Sequence, residues 1–130
     1  MAGAGIVIRA AHYPGRAPID TYGKGGFRFA GMSHRGSLLC LPSGIYGWDI
    51  AAAQAISEES LGRVFAEAEA IDTLLIGTGQ DIVPLPTELR DWLREARIVA
   101  DAMSTGAAVR TFNVLLAEDR AVAAALIAID

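Results

Sequence analysis

RIVADAMSTGAAVRTFNVLLAEDRAVAAALIAI, residues 97–129, decides the fold. RIVADAMS (97–104) and AVAAALIAI (121–129) are apolar runs of strand length, and the stretch between them has helical spacing. The helix is expected from about Gly106 to Asp119, with Ala108, Phe112, Leu115 and Leu116 on its packing side. Arg110 and Asn113, three residues apart, share a different face. Upstream, DTLLIGTG (72–79) is a further apolar strand that ends in glycines. PTELRDWLREA (86–96) then places Leu89, Trp92, Leu93 and Ala96 on one helical face, with Pro86 and Thr87 as start signals. Strand, helix, strand, helix, strand is two successive crossover units, which favour adjacent parallel strands. Near-continuous apolar strands of this kind are covered on both faces.

The rhythm changes before that. SEESLGRVFAEAEA (57–70) predicts a helix with Leu61, Val64, Phe65 and Ala68 on one face and Ser57 as N-cap. Glu58 and Glu59 suit the positive end of its dipole, and Glu58, Glu59, Glu67 and Glu69 form a solvated face. The first half shows short strands punctuated by glycine: IDTYG (19–23), GGFRFAG (25–31), GSLLCLP (36–42) and GIYGWDI (44–50). KGG and HRG supply turn chemistry between them. The expected fold is α/β, a single three-layer domain over 1–130. Its central mixed sheet has a parallel β-α-β-α-β C-terminal half and a β-rich N-terminal half, with 1–18 as a partly extended N-terminal segment. No internal repeat or low-complexity linker marks a domain boundary.

At 130 residues with 52% apolar side chains, the chain has the size and composition of one folded domain. No apolar run reaches the roughly 18 residues of a membrane span. The first residues lack a secretory pattern, and Arg9 and Arg16 among glycines and prolines do not make an amphipathic leader, so the expected location is cytoplasmic. One cysteine, Cys40, excludes an internal disulfide and reads as a small core residue. The net charge of −4 is uneven: residues 1–40 carry five bases against one acid, and residues 41–130 six bases against fourteen acids. The bases are spread along strands and turns, so nucleic-acid binding is not expected. A basic strand layer and an acidic helical layer can nonetheless guide a protein partner.

Two loops follow parallel strands, Gly77-Thr78-Gly79-Gln80 and Ser104-Thr105-Gly106, and should meet at the carboxyl edge of the sheet, where crevices form. The first lacks the third glycine of a dinucleotide fingerprint and the GK[ST] ending of a P-loop. In the second, Thr105 is placed to cap the helix, Gly106 to allow close approach, and the helix mouth to attract anions. Arg110 can lean back to that mouth. A bound anion and an internal carboxylate such as Asp81 are both open as its partner. The candidate ligand-binding residues are Gly77, Thr78, Gly79, Ser104, Thr105, Gly106, Arg110 and Asn113. No catalytic residue is assigned. His12 and His34 sit in turn-like contexts without metal-ligand spacing, and Trp48 and Trp92 read as core or interface anchors.

IDTYGKGGFRFAG (19–31), GSLLCLPSGIYGW (36–48), LLIGTG (74–79) and MSTGAAVRTFNVLLAEDRAVAAAL (103–126) together resemble a small α/β domain family of unknown biochemical function. Its eukaryotic relatives include the mitochondrial respiratory complex I assembly factor 3. The resemblance implies a three-layer fold with a mixed sheet, and a role in assembly through protein contacts rather than a known reaction. It matches Gly77, Thr78 and Gly79 in one loop and Thr105, Gly106, Arg110, Thr111 and Asn113 in the other, and it assigns none of them a catalytic part. Two functions stand side by side. One is a non-enzymatic interaction or assembly factor with a protein partner. The other is a domain for a small anion or phosphorylated metabolite, open to being an enzyme, at the GTG and STG loops. Neither calls for a cofactor or a metal, and exposed aromatics on the N-terminal strands would favour a homo-oligomer.

Overall fold

The computed structural model describes residues 13–130. Among the described residues nine strands form two sheets. β1 (Tyr13–Pro14), β5 (Ser37–Leu41), β6 (Gly44–Trp48), β7 (Thr73–Gly77), β8 (Val99–Met103) and β9 (Val122–Leu126) make a six-stranded sheet in the order β1-β6-β5-β9-β7-β8. β2 (Thr21–Gly23), β3 (Gly26–Phe29) and β4 (Met32–Arg35) make a separate antiparallel sheet. β7 runs parallel to both β8 and β9, and β9 runs antiparallel to β5, so the large sheet is mixed. The helices are α1 (Gly62–Ala66), α2 (Thr87–Glu95) and α3 (Thr105–Ala117).

Three layers follow from the alternation of side chains along the central strands. Leu39, Leu41, Leu74, Ile76, Ala123, Ala125 and Ile127 face one side, where they pack with Val64 of α1 and Leu89 and Leu93 of α2. Leu38, Cys40, Leu75, Val122, Ala124 and Leu126 face the other, against Ala108, Val109 and Phe112 of α3 and Phe27 and Phe29 of the small sheet. Burial of each large side chain contributes about 1.5–3 kcal/mol. That explains why the strand runs read as apolar without alternation.

The order of the strands differs from the expected neighbours. β8 and β9 are not adjacent, because α3 carries the chain back over β7 to its far side. β9 is buried throughout, whereas β8 is an edge strand with Val99 67% exposed and Asp101 in solvent. The helix expected over 57–70 is also interrupted. It consists of 3-10 turns at Glu59–Leu61 and Ala68–Ala70 around the five residues of α1, with Gly62, a residue costing about 1 kcal/mol in a helix interior, at the junction as the first residue of α1. Ser57 keeps its capping part, accepting from the Ser60 amide at 3.1 Å.

The N-terminal strands pair through two tight hairpins. Lys24 and Gly25 both have positive φ, as do Ala30 and Gly31, the type I′ geometry that matches the twist of two-residue hairpins. The second hairpin moves the turn upstream of the expected HRG. His34 and Arg35 belong to β4, and His34 is buried rather than an exposed turn residue. Its Nε2 lies 3.1 Å from the Ser37 carbonyl oxygen. His12 and Arg9 lie outside the described residues. Trp48 is a core anchor whose indole N–H donates to the Ser60 carbonyl at 2.8 Å, and Trp92 is partly exposed.

Candidate functional site

The carboxyl ends of β7 and β8 bring the two loops into direct contact. The Thr78 amide donates to the Met103 carbonyl at 2.8 Å, and the Thr105 amide donates to the Gly79 carbonyl at 2.8 Å. In return the Gly79 amide donates to the Thr105 hydroxyl at 3.0 Å, and that hydroxyl donates to the Ile127 carbonyl at 2.7 Å. Thr105, 0% exposed, thus ties together the ends of β7 and β9 and the start of α3. Gly77 makes the approach feasible, since a Cβ there would lie 2.9 Å from Thr105 Cα. The cap of α3 is Ser104, one residue before the expected Thr105, and it accepts from the Ala107 amide at 3.3 Å.

Thr78 is used in the same way. Its hydroxyl donates to the Asp81 carbonyl at 2.6 Å, with the Met103 carbonyl 3.1 Å away, and accepts from the Val83 amide at 3.0 Å. Beside it a groove of about 490 Å³ runs between the Gly79–Asp81 turn, the segment Ala51–Gln54 and the residues after β9. The charged side chains in its lining are Asp81 and Asp130.

Asn113 and Arg110 separate from this network and from each other. Asn113 clamps the segment before β2: its Oδ1 accepts from the Ile19 amide at 2.9 Å and its Nδ2 donates to the Ile19 carbonyl at 2.9 Å. A side-chain amide here does what a neighbouring strand would do, satisfying both backbone groups of Ile19. Arg110 is exposed and pairs with no carboxylate, Asp81 included; the ion pairs among the described residues are Arg94–Asp91 and Arg120–Glu118. Gly106 is overhung by Tyr22, whose hydroxyl would stand 2.5 Å from a Cβ at that position. The polar stripe of α3 is therefore mostly an internal fastening, with Arg110 left in solvent.

Burial sets the titration of His34 and Cys40. Desolvation lowers the pKa of His34 below its usual value, opposed by the hydrogen bond to Ser37. Burial pushes the Cys40 thiol up to about 12, which makes it a poor nucleophile near neutrality. Among the described residues no group of three or more His, Cys, Asp or Glu side chains is placed to hold a metal ion. Glu67 is not simply solvated: it accepts from both the amide and the hydroxyl of Ser43, at 3.0 and 2.6 Å. The Ser43 hydroxyl is also 2.6 Å from that of Tyr46, and Arg63 stacks 4.2 Å from the Tyr46 ring centre. The partners of Asn113 and Glu67 lie 94 and 24 residues away, beyond the reach of local pattern.

Residues 19–127 match the family model described as a protein of unknown function, DUF498/DUF598, and the chain belongs to that family. An uncharacterized protein of Rhodobacter capsulatus is 40% identical over 123 residues, covering 92% of this chain and 90% of its own. The mouse NADH dehydrogenase [ubiquinone] 1 alpha subcomplex assembly factor 3 is 30% identical over 122 residues, covering 94% of this chain; the match spans 66% of the mouse protein. Among solved structures, one described as an outer membrane protein from Bartonella henselae superposes with a TM-score of 0.89 at 63% identity, over 92% of this chain and 100% of that one. Among the described residues of the present chain, no helix is long and apolar enough to cross a membrane.

Proposed function

We propose that this chain is a non-enzymatic interaction protein that assists the assembly of a larger complex. Its relation to assembly factor 3 supports the role, and the full activity of those longer relatives comes to this chain only as part of the proposal. The observation that carries it is the use made of the strand-end loops. An enzyme built on parallel strands places free polar groups at this edge. Here the hydroxyls of Thr78, Ser104 and Thr105 serve backbone partners, so the edge is a strut. The proposed setting is the cytoplasm, and the proposed partner a protein subunit.

A small-anion site at Gly77, Thr78, Gly79, Ser104, Thr105, Gly106, Arg110 and Asn113 has in its favour the position of the loops at the carboxyl ends of parallel strands. Against it stand the two carboxylates in the neighbouring groove and the fact that Arg110, exposed, takes part in none of these loop hydrogen bonds. The interaction role is tested by deleting the gene in its native host and following assembled NADH dehydrogenase on native gels, alongside capture of the tagged full chain. Loss of the assembled complex with recovery of one of its subunits is the expected result. An unchanged complex together with no reproducible partner refutes the role.

A further inference from the structure

The outer face of the small sheet is a concave surface lined by three bases, Lys24, Arg28 and Arg35. The pairing Thr21–Arg28–Ser33 sets those three side chains in one row across the sheet, and Gly23–Gly26–Arg35 forms the next row on the same face. Two of the three positions in the second row carry no side chain, which leaves a hollow of about 670 Å³ floored by backbone. Gly26 has no alternative there, because a Cβ would collide with the His34 carbonyl oxygen. Lys24 at the hairpin tip, Arg28 and Arg35 line the hollow, all three exposed and none in an ion pair with a described carboxylate. The aromatic rings of β3, Phe27 and Phe29, turn to the opposite face and are buried.

We propose that this face docks an extended acidic segment of a partner protein, with carboxylates at alternate positions meeting Arg28 and Arg35. The proposal rests on the interaction role and names its surface. Arg35 lies opposite Gly26, two residues from Arg28, so the arginines form a diagonal cross-strand pair about 7–8 Å apart, with the Cβ atoms somewhat closer. Alternate side chains of an extended peptide project from one face about 6.8 Å apart, the rise of two residues. A Glu-x-Glu or Asp-x-Asp run therefore presents two carboxylates at the spacing of the two guanidinium groups, each of which can grip a carboxylate with paired N–H donors. The Thr21 and Ser33 hydroxyls flank Arg28 as further donors. Residues 1–12 of this chain are no candidate occupant, since they carry Arg9 and no acid. Single-stranded nucleic acid is disfavoured because the rings of Phe27 and Phe29 are buried, and Tyr22, exposed but paired with Phe27, does not share the row of Arg28.

The test uses the full chain and two fluorescein-labelled decapeptides of equal composition. One has four glutamates at alternate positions; the other has them at every third position, on opposite faces of an extended strand. Anisotropy at low salt should show tighter binding of the first, and Arg28→Glu/Arg35→Glu should weaken it about tenfold and abolish the preference. The reversal is first checked for native circular dichroism, and Arg28→Gln/Arg35→Gln serves as the milder variant should the reversed pair disturb the fold. Equal binding of the two peptides, or undiminished binding by both variants, overturns the proposal. So does tighter binding of a single-stranded oligonucleotide, or self-association of the chain that the reversal removes. Capture from native cells separates this from the interaction role. A partner held equally by wild type and reversed chain refutes the face alone, whereas no partner for the wild type refutes the role and leaves the peptide titration to judge the face.

Discussion

Replacing Thr105 by valine removes one hydroxyl and little volume, and so isolates the fastening at the carboxyl edge of the sheet. The hydroxyl donates to the Ile127 carbonyl at 2.7 Å and accepts from the Gly79 amide at 3.0 Å, with no exposed surface on the residue. Valine keeps the branched shape, so no cavity forms, but two buried backbone groups lose this partner. Each group left unsatisfied costs about 1–3 kcal/mol, and the Thr105 amide still reaches the Gly79 carbonyl, so we expect a loss of about 3 kcal/mol. Urea unfolding followed by the fluorescence of the buried Trp48 is a suitable assay. With a slope of about 1–3 kcal/mol per molar urea, the midpoint should fall by about 1–3 M. Thr105→Ser, which keeps the hydroxyl and loses one methyl, should cost only about 1 kcal/mol. A valine variant within about 0.5 kcal/mol of wild type, the range of ordinary surface changes, would refute the bridging role of this hydroxyl.

Three further outcomes are expected. Asn113→Ala should lose about 2–3 kcal/mol and expose the Ile19 amide to hydrogen exchange, because both backbone groups of Ile19 depend on that side chain; an Ile19 amide as protected as in the wild type contradicts the clamp. Arg110→Ala should change stability by no more than about 0.5 kcal/mol. Inorganic phosphate should raise the Tm of both proteins equally, and a larger rise for the wild type would place an anion at that helix. The Cys40 thiol, raised from 9.0 to about 12, holds its contribution in full below pH 9 and loses it as pH climbs toward 12, where the unfolded chain releases the proton first. Cys40→Ala should therefore show a shallower fall in urea midpoint across that window, and an identical fall in both proteins argues against the buried thiol.

The elements that local chemistry determines were legible in the sequence. Leu74–Ile76 and Val122–Ile127 announce themselves as strands because both faces of each are covered, and Leu89 and Leu93 mark α2 by their spacing. Neighbour order was not legible: the same apolar run describes an edge strand such as β8 and a central one such as β9, since periodicity reports burial and not which strand lies alongside. β4 was hidden because His34-Arg35-Gly36 has turn composition, while the actual turn places Ala30, a residue with no turn preference, at φ 50°. The meeting of the GTG and STG loops followed from parallel topology. The division of labour among the polar side chains there and elsewhere did not, because Thr105, Asn113 and Glu67 all answer to partners distant along the chain.

β9 lies between β5 and β7, hydrogen-bonded to both, yet it is translated after either of them. On the ribosome, the hairpin strands and β7 must wait as two unjoined apolar slabs until the keystone emerges from the exit tunnel. The central sheet therefore cannot be completed before its last strand is made, and the interval before that leaves apolar strand edges open to the aggregation that chaperones prevent.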